Sequence, residues 1–393
     1  MKKKGYSLLS VIIIIVITSI ASGLAIGTIL TKNSFLFMDG TSIGDDKNLK
    51  DFLAVYNKIR TDYYESVDDK TLIDGAISGM LNEIGDSYTT LLNEDSASDL
   101  LQTLNGTYKG IGITITDQEV INTVVNSPAE KSGILPGDII KSVNGVDVSN
   151  YKAGDISDLI ADSPDKVTLV ILRDNQEYTF NLEADVLDVP AVSYNVIDNT
   201  NIGYIKVSVF SKTVTKEMES ALTNLKIQGI NGLIIDLRGN NGGYLDGAKN
   251  SASLFIEKNK VIYSLSTKNG NTKYIDEDNT SETMPVVVLI NKGTASSAEV
   301  LTAALKDSYN ATIVGETSYG KGKVQYTYAL SDGSIAKYTS SKWLRPNGEC
   351  IDEVGITPDY MITNEYIFDQ NNNTVVVGII DNQLQTAVKL LSN

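Results

Sequence analysis

Six consecutive apolar residues from Pro285, PVVVLI, constrain the chain more than any other stretch. The run is rich in β-branched side chains and does not alternate with polar ones, so it predicts a strand covered on both faces, as in a parallel sheet flanked by helices. Gly232 to Leu237 (GLIIDL) is a second such run, Ile202 to Val207 a third strand, and Lys216 to Leu225 a helix between them. The pattern predicts an α/β core. After Ile290, Asn291 to Ala295 breaks the run, and from Ser296 the apolar positions Val300, Leu301, Ala304 and Leu305 recur at helical spacing. Ser296 therefore lies where a buried strand turns into a helix. Its hydroxyl is expected at the positive helix end, beside free N–H groups that can stabilise an oxyanion. Thr294, Ser296 and Ser297 are also ordinary helix-capping residues, and spacing alone leaves both readings open.

The chain has no histidine. A serine nucleophile needs a base within hydrogen-bond reach, so a Ser/His/Asp triad is excluded and a lysine or carboxylate must serve. A lysine can accept a proton only when neutral, which means a desolvated site lowering its pKa from about 10.4 by roughly three units, at about 1.4 kcal/mol per unit. Lys321, within Tyr319-Gly320-Lys321-Gly322, suits that requirement, since the flanking glycines allow close approach and add no competing side chain. Lys323 is a rival that periodicity does not exclude, and both also read as solvated strand lysines.

GTASSAEVLTAALKD, followed by VGETSYGKGKVQ, resembles the catalytic core of the carboxyl-terminal processing proteases, the tail-specific Ser/Lys peptidases. The resemblance implies Ser296 as nucleophile, Lys321 as general base 25 residues later, and Gln325 as the residue that orients the lysine amine. The chain departs from the family in reading Ser297-Ala298 where the family has Ala-Ser. Asp236-Leu237-Arg238-Gly239-Asn240-Asn241-Gly242-Gly243 is a glycine-rich turn after a buried strand, which suits an oxyanion or a phosphate; it lacks the Gly-Lys-Ser/Thr ending of a P-loop. It resembles the family's DLRxNxGG motif, which implies an oxyanion hole made by the backbone N–H groups of Gly242 and Ser297. Asp236 and Arg238 read as buried structural partners.

Between Gly106 and Leu182 a separate logic holds. A glycine-flanked strand entry at Gly110-Ile111-Gly112-Ile113, a short helix at Ser127 to Gly133, a turn at Leu135 to Asp138, a strand at Ile139 to Val143, a helix at Ile156 to Ile160 and a hairpin at Lys166 to Leu182 follow one another. This order resembles the circularly permuted PDZ domain inserted in those proteases. Gly110, Ile111 and Gly112 can offer consecutive N–H groups to a peptide's terminal carboxylate, and the strand from Ile113 can pair with the peptide. Ile156, Leu159 and Ile160 are expected along the opposite side of the groove. The arginine of an LIRG-like stretch that takes part in switching in gated relatives has no counterpart in Leu159-Ile160-Ala161-Asp162.

The formal charge is −16, and residues 1–30 hold three lysines and no acid, so the rest carries −16 − 3 = −19. Such an acidic body argues against nucleic-acid binding. Cys350 is the only cysteine, which excludes an internal disulfide and, with no histidine, makes zinc a poor fit. Lys2, Lys3 and Lys4 precede an apolar stretch from Leu8 to Leu30, long enough to span a bilayer with the lysines inside and the body outside; cleavage near Ala21 to Gly27 is the alternative.

The expected architecture is an α/β protease core with a mixed or parallel sheet, an inserted β-rich PDZ-like domain, an N-terminal helical region and one N-terminal transmembrane helix. The segments are 1–30 for the anchor, 31–47 for a tether and 48–104 for the helical region, in which stripes from Leu49 and Lys70 mark two helices. Then follow 105–185 for the PDZ domain, 186–380 for the protease core with its linker, and 381–393 for a final helix capped by Asp381. The resemblance implies a serine endopeptidase that takes protein substrates by their C-terminal tails, without metal or organic cofactor, and a possible homodimer through the helical region. The rival reading is a catalytically inactive PDZ adaptor.

Overall fold

A computed structural model describes residues 37–38, 41–42, 46–163, 165–279, 281–368 and 376–392. The anchor expected over residues 1–30 lies outside them; among the described residues no helix is long and apolar enough to cross a membrane. The chain divides into two compact units, one through Met80 and one from Leu81. The first contains Phe37–Met38 paired antiparallel with Thr41–Ser42, and the helix Lys47–Asp62, whose start is capped by Asp46 Oδ1 accepting the N–H of Asn48 at 2.8 Å. The expected stripe is present, but no residue of that helix is buried. A second helix, Asp69–Glu83, follows.

In the second unit a sheet of six strands runs in the order Val192–Val196, Ile202–Val207, Gly232–Asp236, Val286–Ile290, Thr312–Gly315, Tyr360–Met361. Its first pair is antiparallel and every later pair parallel. The unbroken apolar runs are explained by helices on both faces. Leu233, Ile235, Val286, Val288 and Ile290 join one core with the helices Val214–Ile227, Leu245–Ser253 and Ser297–Ala304. Ile234, Val287 and Leu289 join another, closed by Ala387 of the helix Asn382–Leu391. Two strands lie where a linker was expected: Asp185–Asp188 pairs with Thr107–Gly110, and Val192–Val196 edges the main sheet. Both owe their form to distant partners, which local sequence does not display.

A second sheet has five strands, two of which the sequence also reads as strands, at Tyr326 to Leu330 and Ile335 to Ser340. Gly270–Ile275, Val261–Thr267, Ile335–Leu344 and Lys323–Ala329 pair in that order, and Thr90–Leu92 adds to Ile335–Leu344. The PDZ-like sheet is ordered Gln176–Glu183, Lys166–Arg173, Ile139–Val143, Glu119–Thr123, Ile113–Thr116. Pairing of Thr107–Gly110 with Asp185–Asp188 brings the two ends of this insertion together. Ile113–Thr116 is an edge strand.

Gly315 closes the strand that leads toward Lys321. Its φ is +134°, and a Cβ there would sit 1.9 Å from the carbonyl oxygen of Ile290 on the neighbouring strand. Gly315→Ala is expected to cost about 3–5 kcal/mol, because neither backbone can yield inside a packed sheet. Denaturant unfolding, read as a fall in midpoint at constant slope, checks it.

Candidate active site

Ser296 caps the helix Ser297–Ala304 with φ +54° and ψ −120°, a conformation L-residues rarely adopt. The strain is held from three sides. Its N–H donates to Glu299 Oε2 at 2.8 Å, its carbonyl accepts from Val300 at 3.0 Å, and the preceding Ala295 N–H donates to the Asn240 carbonyl at 2.9 Å. Thr294 is a brace, donating its hydroxyl to the Leu237 carbonyl at 2.8 Å. The Ser297 hydroxyl donates to the Gly243 carbonyl at 2.9 Å, which engages the rival hydroxyl in structure.

Glu299 is the residue that reading the sequence for nucleophile and base passed over. Its side chain is fully buried, yet it accepts from Ser296 N–H, Ser318 Oγ at 2.6 Å, Gly320 N–H at 2.7 Å and Lys321 N–H at 2.9 Å. Burial pushes its pKa up, and these hydrogen bonds pull it back. One carboxylate thus fixes both the serine turn and the lysine loop. The signal was present: Ser296-Ser297-Ala298-Glu299 has the spacing of a capping box.

Lys321 is half-buried, and the Trp343 indole N–H bonds its carbonyl at 2.9 Å. The glycines beside it allow close approach, but of this chain's own backbone: a Cβ on Gly320 would meet Gly355 N at 2.8 Å, and one on Gly322 would meet Asp352 Cα at 2.8 Å. Burial drives the Lys321 amine below the ordinary lysine value, helped by the positive charge of Lys337; Glu299 and Asp86 act the other way. Among the described residues no carboxylate pairs with it; the Tyr88 ring lies 4.8 Å from Nζ. Lys323, the rival, donates to Asp86 Oδ1 at 3.3 Å. Gln325 Nε2 donates to Thr339 Oγ1 at 3.4 Å. Asp86 and Tyr88 carried no local signal.

Ser296, Ser297, Lys321, Lys323, Gln325 and Lys337 line one cavity of about 510 Å³, walled by Leu104, Leu245, Tyr263, Leu265, Tyr274 and Trp343. Gly242 packs against Ser296, a Cβ there falling 2.9 Å from the serine Cβ. Its N–H donates to Asn240 Oδ1 at 2.8 Å, so an oxyanion role requires that bond to give way. The Ser297 N–H opens the helix, where no intrahelical acceptor exists. Asp236 accepts from Tyr204 at 2.6 Å and Arg238 at 2.6 Å, while Arg238 reaches Asp381 at 2.7 Å, tying the final helix to the sheet. Among the described residues no cluster of three acidic, cysteine or histidine side chains is placed to hold a metal ion.

A second cavity, about 570 Å³, lies along the edge strand of the PDZ-like sheet. Gly110, Ile111, Gly112, Ile113 and Ile160 line it. Ile156 and Leu159 do not, contrary to expectation: Ile156 is fully buried in the domain core, and Leu159 packs on that core. Apolar spacing marks the helix face turned to the core, and the groove is lined instead by Ser157, Ile160 and Ala161.

Glu299→Gln keeps the shape but replaces one acceptor oxygen by a donor facing donors. It is expected to cost about 2–4 kcal/mol, because buried N–H and O–H groups lose their acceptor, and to abolish serine reactivity. Thermal unfolding and labelling by a serine-directed fluorophosphonate measure the two effects.

Comparison with known proteins fits this geometry. The pattern of Peptidase family S41 matches residues 201–362, that of a PDZ domain residues 120–173, and that of the activating protease CtpB N-terminal domain residues 31–96. The carboxy-terminal processing protease CtpA of Bacillus subtilis (strain 168) is 36% identical over 359 residues, covering 89% of this chain and 76% of that protein. Among solved structures, a photosystem II D1 C-terminal processing protease superposes with a TM-score of 0.50 at 28% identity, over 80% of this chain and 87% of that one. The chain belongs to the carboxy-terminal processing serine proteases of peptidase family S41, peptide-bond hydrolases that here carry a PDZ domain.

Proposed function

We propose that this protein cuts substrates with a Ser296–Lys321 dyad after capturing their C-terminal tails in the PDZ groove. The observation that carries the dyad is the contrast between Lys321 and Lys323 in one cavity: Lys323 has a carboxylate partner, and Lys321, half-buried beside the strained Ser296 turn, has none among the described residues. Neutral Lys321 takes the Ser296 hydroxyl proton as Oγ bonds the peptide carbonyl carbon. The negative oxygen is stabilised by the N–H groups of Ser297 and Gly242, the latter released from Asn240. The Lys321 ammonium then protonates the leaving amine as the C–N bond breaks. A water, giving its proton to Lys321, attacks the acyl-enzyme and restores the Ser296 hydroxyl as the ester bond opens.

Tail capture rests on the edge strand Ile113–Thr116, to which a peptide adds as a further strand, with its carboxylate at the N–H groups of Gly110, Ile111 and Gly112. The lysine-led apolar run in residues 2–30 supports a membrane-anchored chain with this body on the outer side.

The test incubates wild type, Ser296→Ala and Lys321→Ala with an unfolded protein bearing an apolar tail, and follows fragments by mass spectrometry. Wild type is expected to cut, and both variants to lose about 10²- to 10⁴-fold in rate. A wild type that binds the tail and cuts nothing makes the protein an adaptor. Tail amidation is expected to raise KM, and failure to do so removes the carboxylate from recognition.

The pH dependence has a definite sign. Lys321 must lose its proton to act, so kcat/KM rises with pH through an acid limb set by Lys321, below the ordinary lysine value of about 10.4. The same depressed amine is protonated in the unfolded chain up to that value. Stability therefore rises with pH between the folded and unfolded pKa values of Lys321, and Lys321→Met is expected to remove that part of the slope.

A further inference from the structure

The segment Gly85-Asp86-Ser87-Tyr88-Thr89 lies more than two hundred residues from the catalytic lysine, yet its side chains meet the catalytic cavity's lining. The Asp86 side chain is only 12% exposed and is surrounded by donors. Lys323 Nζ reaches its Oδ1 at 3.3 Å, the Tyr88 N–H reaches the same oxygen at 3.4 Å, and the Thr89 hydroxyl reaches Oδ2 at 2.9 Å. The Thr339 hydroxyl also donates to Oδ2, and that hydroxyl in turn accepts from Gln325 Nε2. The Thr339 N–H closes the ring by donating to the Thr89 hydroxyl at 3.2 Å. One carboxylate is thus joined both to the lysine that is not the base and, through one threonine, to Gln325.

We propose that Asp86 is a positioning residue for the peptidase reaction: it holds Lys323 aside and anchors Gln325 through Thr339, leaving the neighbouring Lys321 without a counter-ion among the described residues. The inference rests on the dyad proposed above. Charge chemistry favours it, because two neighbouring lysines compete for any carboxylate and the unpaired one bears the desolvation cost that leaves it neutral and free to accept a proton. Burial alone would raise the Asp86 carboxyl, but hydrogen bonds from Thr339, Thr89, Tyr88 N–H and Lys323 bring it to about 2. It therefore stays ionised, and Lys323 stays engaged, across any working pH. The Tyr88 ring lies over both amines, 4.8 Å from Lys321 Nζ and 5.5 Å from Lys323 Nζ, and keeps them on one side of the cavity. Besides Asp86, the charged groups acting on Lys321 are Glu299, which favours its protonated form, and Lys337, which disfavours it.

Two substitutions separate positioning from mere support. Asp86→Asn removes the negative charge and frees the positive charge of Lys323; both changes disfavour the Lys321 ammonium. The acid limb of kcat is then expected to move to lower pH by about half to one unit, while kcat falls about 10- to 100-fold because Gln325 loses its anchor and KM stays within roughly threefold. Thr339→Val cuts the route to Gln325 but leaves the Asp86–Lys323 pair, so kcat is expected to fall with the acid limb unmoved.

The measurement is kcat and KM on a peptide substrate across pH for the full chain as wild type, Ser296→Ala, Asp86→Asn and Thr339→Val, with thermal unfolding of each. Unchanged kcat and limb in Asp86→Asn overturn the proposal, as does a loss that is equal at every pH and accompanied by a lowered Tm. Where Asp86→Asn does not fold, Thr339→Val decides, and wild-type kcat there overturns the route. Failure of the underlying dyad looks different: Ser296→Ala would still cut, or wild type would not.

Discussion

A single buried carboxylate organises this site. Glu299 accepts from the N–H groups of Ser296, Gly320 and Lys321 and from the Ser318 hydroxyl, so two segments more than twenty residues apart share one acceptor. A carboxylate withdrawn from water carries a desolvation cost of several kcal/mol, which only well-placed donors offset. The donors here are mainly backbone groups of a strained turn and a glycine loop, segments with no regular ladder of their own to satisfy them. Each side supports the other: without the donors the charge is too costly to bury, and without the charge the Ser296 turn loses one of the three bonds that hold it. The Ser296 turn and the Lys321 loop are therefore expected to form as one cooperative unit.

The chemistry of the lysines follows from where their charges are balanced. Lys323 meets a carboxylate, Lys337 stands on the neighbouring strand as a positive neighbour, and Lys321 is desolvated between them. Glu299 lies close enough to favour the protonated amine, yet its oxygens face the loop's N–H groups. Its hydrogen-bonding capacity is directed to the backbone, and no ion pair to Lys321 forms among the described residues. A lysine is thereby kept basic and unpaired in a chain of net charge −16, where an acidic partner might be expected at every turn.

Much of this was legible in the sequence, for physical reasons that also explain what was not. Val286–Ile290 and Gly232–Asp236 announce themselves because strands covered on both faces are apolar except where a polar end such as Asp236 finds buried partners, and the strand-to-helix switch located Ser296. Of the second sheet only Tyr326 to Leu330 and Ile335 to Ser340 read as strands, because others such as Gly270–Ile275 are mostly exposed and take their form from pairing with strands the local sequence does not display. Ile156 and Leu159 were misplaced because apolar periodicity reports the face turned to a core, whereas a groove can be lined by Ser157 and Ala161. Asp86 was silent for another reason: its role is to meet Lys323 and Thr339, and nothing near it in the chain marks either partner.

The helix Glu94–Asn105 shows how the two cavities are joined mechanically. Leu100 and Leu104, four residues apart, line the catalytic cavity; Ser98 and Gln102, also four apart, line the peptide groove. The two pairs are offset by two residues, about 200° around a helix, so they occupy opposite faces. Asn93 caps its start by accepting the Ser96 N–H at 2.9 Å, Gly106 ends it in a left-handed turn, and Ala97, three residues before Leu100 and on the same face, is buried. Gln102 Oε1 also accepts the Lys109 N–H at 2.9 Å, one residue before the Gly110-Ile111-Gly112 stretch that lines the second cavity. A helix of this kind cannot bend at one face and stay fixed at the other. Whatever shifts it at the second cavity shifts Leu100 and Leu104 as well, so the two cavities share a single rigid part.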